Sequence, residues 1–449
     1  MTRTRILILG AAGRDFHVFN ALYRGDPDVE VVGFTAQQIP NIEDRLYPAA
    51  IAGEDLYPEG VQIHPEDELE RLIGELDVDR CVMAYSDVSH QYVGHLASRV
   101  NAAGADFELP SSRATMLESK LPVVAVCAVR TGVGKSQTSR AVANLLRTAG
   151  LKVGVVRHPM PYGDLLAQRV QRFATVDHLV EHDVTIEERE EYEPHIANGS
   201  VVFAGVDYHA ILEAAESESD VILWDGGNND TPFFKPSVYI TLVDPHRPGH
   251  ELLYYPGETN LRLADVVIIN KVRTARPEDL ATVKANVAAV NPGAMVIEAA
   301  SPIRSDDPSI FAGKKVLAVE DGPTCTHGGM AYGAAVIGAR AGGAAEIVDP
   351  RPFLVGELKE TFATYPDVGP ILPAMGYGDQ QIADLEATIQ RAVEGGVEAV
   401  AIGTPIDLAG LVKISAPHTR VRYELEPIGK PDLWDALAPM LPEGAGVES

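Results

Sequence analysis

Short apolar runs recur along the chain, and most are followed by a glycine or polar turn and then by apolar residues at helical spacing. Arg5–Leu9, Val29–Phe34 and Arg80–Ala84 read as strands of a first region, with a helix through Phe19, Leu22 and Tyr23 after the first. Leu121–Val129, Leu151–Val156, Val201–Val206, Val221–Trp224, Tyr239–Val243 and Ala264–Ile269 read as strands of a second. Lys315–Val319 and Ala399–Ile402, with a helix over Asp379–Glu394, belong to a third. Continuous rather than alternating apolar runs mark strands covered on both faces, as in parallel sheets. The alternation predicts an α/β chain: a Rossmann-like N-terminal domain over 1–119, a second parallel-sheet domain over 120–300, and a C-terminal α/β region over 301–449 able to extend the central sheet.

The second region carries the chemistry. Leu121–Val129 ends in Thr131-Gly132-Val133-Gly134-Lys135-Ser136, and a helix with Val142, Leu145 and Leu146 on one stripe stops at Gly150. Strand, glycine turn, Lys-Ser and helix are the layout of a phosphate-binding loop in a P-loop NTPase-type sheet. The glycines let successive N–H groups face phosphate oxygens and the helix start adds positive partial charge. Lys135 reaches the β/γ oxygens, and the Ser136 hydroxyl is a ligand for Mg²⁺. Gly132, Gly134, Lys135, Ser136 and Gln137 are the expected nucleotide contacts. The full motif wants glycine at 129, where Val129 stands. Arg130 takes the place of an extra lysine in a variant loop, which resembles that of dethiobiotin-synthetase-like ligases and metal-insertion GTPases.

Val221–Trp224 followed by Asp225-Gly226-Gly227 supplies a strand-end carboxylate for Mg²⁺, with Asn228 and Asn229 facing an acceptor. Asn270-Lys271 resembles the start of the N-K-x-D guanine motif, but Arg273 stands at the aspartate position. Guanine therefore loses its acceptor, ATP is the expected nucleotide, and the Lys271 stem is available to cover the purine.

Several loops add cations at apparent strand ends, where open parallel sheets place ligands. The turn after the first strand lacks G-x-G-x-x-G spacing. Arg14 and His17 beside it suit a phosphate or carboxylate, while a turn needed only for packing is the alternative. The loop over Thr35–Pro48 brings Arg45; Arg157-His158 opens a proline-rich loop; Asp244–His250 brings His246 and Arg247. Glu187, Glu188, Glu190, Glu191 and Glu193 read as a solvated acidic face, with one of them serving Mg²⁺ as the alternative.

Composition narrows the partners. A net charge of −27 over 449 residues argues against nucleic acid or anionic lipid and requires an anionic substrate to be met by locally clustered cations. Cys81, Cys127 and Cys325 are too scattered for a zinc site or a disulfide scaffold. The apolar N-terminal stretch is too short for a signal peptide, so a cytoplasmic protein is expected, and a homodimer on general grounds of symmetry.

Together these motifs resemble the cyclic 2,3-diphosphoglycerate synthetase family, often labelled predicted GTPases. The resemblance rests on GAAGRDFH (Gly10–His17), IPNIEDRLYP (Ile39–Pro48), VRTGVGKSQTSR (Val129–Arg140), VRHPMPYGD (Val156–Asp164), WDGGNND (Trp224–Asp230), DPHRPGHE (Asp244–Glu251), VEDGPTCTHGGM (Val319–Met330) and LPAMGYG (Leu372–Gly378). It implies an ATP- and Mg²⁺-dependent ligase closing a phosphoanhydride within 2,3-bisphosphoglycerate. Lys135, Asp225, Arg130, Arg157, His158, His246 and Arg247 would serve catalysis; Arg14, His17, Arg45, Asn228 and Asn229 would hold substrate; Asn270 and Lys271 would hold nucleotide. A P-loop GTPase or ATPase acting as a switch or metal chaperone is the alternative.

Overall fold

The computed structural model describes residues 3–11, 13–36, 45–159, 163–227, 230–321, 333–366, 368–374 and 379–441. Asn228 and Asn229, most of the first loop, and parts of the two C-terminal motifs lie outside the described residues.

The N-terminal sheet has six strands in the order Leu46–Tyr47, Val61–Pro65, Val29–Ala36, Thr4–Leu9, Arg80–Met83, Asp106–Glu108. All its pairings are parallel except that of the edge strand Leu46–Tyr47. The central sheet has nine strands: Gln171–Phe173, Val201–Ala204, Val153–Arg157, Val221–Gly226, Val123–Ala128, Val238–Val243, Val266–Ile269, Met295–Ala300, Glu426–Pro427. Its two outermost strands are antiparallel and the pairings between them parallel. All six positions of Val123–Ala128, Val221–Gly226 and Val238–Val243 are buried, as continuous apolar runs require.

After Val123–Ala128 the chain winds out along one side of the sheet, returns at Val221–Gly226, and winds out along the other from Val238. The loops that follow these three strands therefore open at one end of the sheet, where the order reverses. A two-stranded ribbon, Val88–Ser89 with Tyr254–Tyr255, joins the N-terminal and central regions.

Contacts divide the chain into two units, one of residues 1–183, 195–300 and 425–449, the other of 184–194 and 301–424. The C-terminal region thus splits. Residues 301–424 build their own sheet around Lys315–Asp321 and Ala399–Gly403, and only Glu426–Pro427 extends the central one. Within this second unit the acidic stretch is less solvated than its composition suggests. Glu188 and Glu193 are buried, and Glu193 accepts from Arg189 at 2.7 Å and from the Asp407 amide at 2.8 Å. Among the described residues no helix is long and apolar enough to cross a membrane.

Candidate active site

The phosphate loop lies between strand Val123–Ala128 and helix Lys135–Thr148. Gly132 and Gly134 take φ of 82° and 108°, a region that favours glycine. A Cβ on Gly134 would stand 2.3 Å from Asn270 Nδ2 and 2.8 Å from the Gln137 amide, so backbone curvature and close approach both require glycine there. The loop is braced from behind. Asn270 Nδ2 donates to Val133 O at 2.8 Å, Lys271 Nζ to Gly132 O at 2.7 Å, and Arg247 Nη2 to Thr131 O at 2.9 Å. Asp244 ties the two cations together, at 2.8 Å from Lys271 Nζ and 3.2 Å from Arg247 Nη2. Burial alone would raise the Asp244 pKa, but these two charges hold it below the usual carboxylate range. Loop carbonyls held by cations turn the loop N–H groups towards anions, and Asp87 Oδ2 accepts from Thr131 N at 3.2 Å.

At the head of the helix, Lys135 Nζ lies 2.8 Å from Asp225 Oδ1 and also donates to the Asp225 carbonyl. The Asp225 carboxylate is 1% exposed and satisfied on both oxygens. Oδ1 also accepts from Ser139 Oγ, and Oδ2 lies 3.0 Å from both Arg157 Nη1 and His195 Nε2. Burial would raise its pKa, but Arg157, Lys135 and His195 hold it well below the ordinary range. In this arrangement Asp225 holds the lysine at the start of the loop. Ser136 stands half-buried in the first turn of the same helix. Its hydroxyl and the Asp225 carboxylate form the hard oxygen donor set expected for Mg²⁺, which usually keeps waters and phosphate oxygens as its other ligands. Among the described residues no cluster of three or more His, Cys, Asp or Glu could hold a metal without such help.

The rim of the loop is shared with the N-terminal region. Arg130 Nε lies 2.6 Å from Asp87 Oδ1, and its guanidinium carbon is 3.6 Å from the centre of the Tyr254 ring. Asp87 Oδ2 accepts from Thr131 Oγ1 at 2.7 Å. A second buried group lies beyond Gly226. His158 Nε2 is 2.7 Å from Asp230 Oδ2 and its Nδ1 bonds the Tyr208 hydroxyl, while Ser86 Oγ donates to Asp230 Oδ1. Gly13 and Gly227 clamp this imidazole, since a Cβ on either would fall 2.5 Å or 2.0 Å from it. Arg14 is buried, donates through Nη2 to Tyr255 Oη at 2.8 Å, and has no partner for Nη1. Burial would lower its pKa, but Tyr255, Asp230 and Asp15 outweigh that and raise it.

Thus Lys135, Asp225 and Arg157 meet in one buried group, while Arg130, Arg247, Asn270 and Lys271 surround or brace the loop. Four expectations change. His17 is fully buried, stacked on Phe233 with centroids 4.0 Å apart, and bonded to Thr115 O at 2.6 Å. Desolvation pushes its pKa down to about 3, so it brings no positive charge to an anion. His246 is exposed and bonds Thr274 Oγ1 at 2.8 Å. Arg45 donates to the Gly163 carbonyl. His158 is committed on both ring nitrogens rather than presented to a substrate. Residues not anticipated are Ser139, His195 and the Tyr254–Tyr255 ribbon, while Asp87 and Asp244 lie in loops at strand ends. Ser139 carried a signal, lying one helical turn beyond Lys135 on the same face.

The chain is 59% identical over 435 residues to arginine synthetase ArcE of Thermococcus kodakarensis, a match covering 97% of this chain and 96% of that protein. No family model matches. Among solved structures it is similar to LpxK from Aquifex aeolicus in complex with ATP, at 11% identity over 73% of this chain and 90% of that one, with a TM-score of 0.44. It is also similar to cobyrinic acid a,c-diamide synthase from Mycobacterium smegmatis, with bound ATP analogue and magnesium, at 18% identity over 40% and 72% of the two chains, with a TM-score of 0.19. Scores this low carry no argument, and the fold rests on the strand order and the loop itself. The full-length relative bears a different name from the family its motifs resemble, and by that relative the chain belongs to the family of arginine synthetase ArcE.

Proposed function

We propose that this protein is an ATP-dependent ligase whose product is arginine. The observation that supports the product is the full-length relative, 59% identical and named an arginine synthetase. The loop supports the nucleotide: Lys135 is held 2.8 Å from Asp225 in the position from which it would move to the β/γ oxygens. ATP is preferred over GTP because Arg273, at the position of a guanine-reading aspartate, points its guanidinium at Glu426, 2.7 Å away. Mg²⁺ entering with the triphosphate would be held by Ser136 and Asp225 and would neutralise charge between the β- and γ-phosphates.

A guanidinium is made from a ureido group by replacing its oxygen with nitrogen, and that oxygen leaves only once activated. A loop that grips the β/γ-phosphates presents the γ-phosphoryl, so activation is by phosphoryl transfer. The terminal P–O bond to ADP breaks and a bond to the ureido oxygen forms. Ammonia then attacks the carbon, the C–O bond breaks, phosphate departs, and the nitrogen loses its extra proton. Lys135, Arg130 and the loop amides position and neutralise the phosphates, and exclusion of water protects the activated intermediate.

The second reading, cyclisation of 2,3-bisphosphoglycerate, draws on the cations around the loop. It is weakened because Arg157 and His158 are already paired with Asp225 and Asp230. One assay separates the two: ADP release measured with a ureido amino acid plus ammonia, and with 2,3-bisphosphoglycerate. Arginine formed in step with ADP is the expected result, whereas ADP release stimulated by the bisphosphate alone rejects the arginine reading.

A further inference from the structure

The glycine turn after the first strand does not hold a free anion site of the phosphate-loop kind. Asp15 has turned its own carboxylate into it: a Cβ on Gly10 would lie 1.7 Å from Asp15 Oδ1. Among the described residues the turn also holds a buried donor without a partner. Arg14 is 5% exposed, one of its terminal nitrogens is bound to Tyr255 Oη, and the other, Nη1, is buried without a hydrogen-bond partner. A buried guanidinium N–H left unpaired costs substantial free energy, so its persistence asks for an oxygen supplied from outside the chain.

The surroundings specify which oxygen. Asp230 and Asp15 both lie within electrostatic range of Arg14. One guanidinium beside two carboxylates repels a phosphate dianion but suits a zwitterion, whose carboxylate meets the arginine while its ammonium is drawn to the acids. The location is adjacent to the chemistry. Tyr255, which holds Nη2, follows Tyr254, whose ring lies under Arg130 of the phosphate loop. Asp230 is bonded to His158, whose amide donates to the carbonyl of Gly226, next to Asp225.

We infer that Arg14 Nη1 anchors the α-carboxylate of the amino-acid substrate, as a binding residue of the ligase reaction. This rests on the arginine-forming reading above. It identifies the end of the substrate remote from the reacting carbon, and it places a carboxylate where the motif resemblance would place a phosphate.

The test is calorimetric binding of arginine and of agmatine, its decarboxylated analogue, to the full chain with saturating ADP and Mg²⁺. Wild type is expected to bind arginine at least about ten-fold more tightly than agmatine, the span of one charge-assisted hydrogen bond. Arg14→Gln should bring the two ligands within about two-fold of each other by weakening arginine, with Arg14→Lys between, while ADP affinity stays unchanged. Discrimination that survives in Arg14→Gln overturns the inference alone. Wild type that binds agmatine as tightly as arginine does so too, without any variant having to fold. Wild type that binds neither overturns the arginine reading and the inference together.

Discussion

Two glycine turns, each following the first strand of a parallel sheet, have taken opposite courses in this molecule. At the phosphate loop, Gly132 and Gly134 curl the backbone, and the neighbouring cations sit on its carbonyls or on Asp225. No residue of the turn itself is a carboxylate, the one that reaches it being Asp87 of the N-terminal region at Thr131, and Thr131 and Gly132 are exposed. At the N-terminal turn, Gly10 has φ of 130°, yet the space its missing Cβ leaves is filled by Asp15, and nearby His17 is sealed neutral against Phe233. The same local geometry thus gives an anion cradle in one place and a self-satisfied joint in the other. What differs is the charge of the residue that falls into the turn: a lysine one residue after the second glycine, or an aspartate five residues after the first.

That comparison fails if the wrong turn proves to be the functional one. The largest effect is expected from Lys135→Ala, which should lower turnover per folded molecule by about 10³-fold or more and, by removing one partner of the buried Asp225, should also lower the melting temperature. Steady-state ADP release and a melting curve check it. Asp225→Asn comes next. It leaves Lys135, Arg157 and His195 without their shared anion and should destabilise the fold by roughly 3–5 kcal/mol at neutral pH.

The sign with pH follows from the depressed Asp225 pKa. Its stabilisation is complete above the ordinary value of 3.8 and is lost as pH falls below it, because protons then bind the unfolded chain preferentially. Denaturation by urea should therefore show a steep acid limb below about pH 4 in wild type that is shallower in Asp225→Asn.

Two glycine substitutions set the turns directly against each other. Gly134→Ala and Gly10→Ala each force a Cβ into a side chain at positive φ, a strain of roughly 1–3 kcal/mol. Gly134→Ala should weaken nucleotide binding by about 10- to 100-fold for that strain, whereas Gly10→Ala should lower stability and leave nucleotide affinity per folded molecule unchanged. Isothermal titration with ADP and Mg²⁺ decides between them, and equal losses of affinity would remove the distinction. At neutral pH the smallest effect is that of His17→Gln, which keeps a donor for Thr115. The unfolded imidazole titrates near 6.5 and the buried one near 3, so stability contributed by neutral His17 is present above pH 6.5 and lost as pH falls between those values. Wild type should lose about 1.4 kcal/mol per pH unit through that window relative to His17→Gln.

The legible part of the molecule was the part written locally. Val123–Ala128 runs into Gly132, Gly134, Lys135 and Ser136 within one stretch, and strand, turn and helix follow from apolar period and backbone freedom alone. The strand-end position of Asp225 was legible for the same reason, as was the alternation that predicts parallel sheets. Illegible was a partner such as His195, on the helix Ile186–Ala197, which carries no pattern that distinguishes it from a surface residue, whereas Asp87 lies in a polar loop after strand Arg80–Met83, where open parallel sheets place ligands.

By itself, then, the sequence determined an α/β chain with a phosphate-binding loop and a carboxylate at the end of a neighbouring strand, because both depend on residues a few positions apart. Tertiary structure alone decided which cations are available. Arg157, His158 and His17 look equivalent along the chain, yet burial beside Asp225, beside Asp230 and against Phe233 gives each a different charge environment. Arg14 emerges with a buried donor still unanswered, since electrostatics and desolvation act through distance and not through sequence separation.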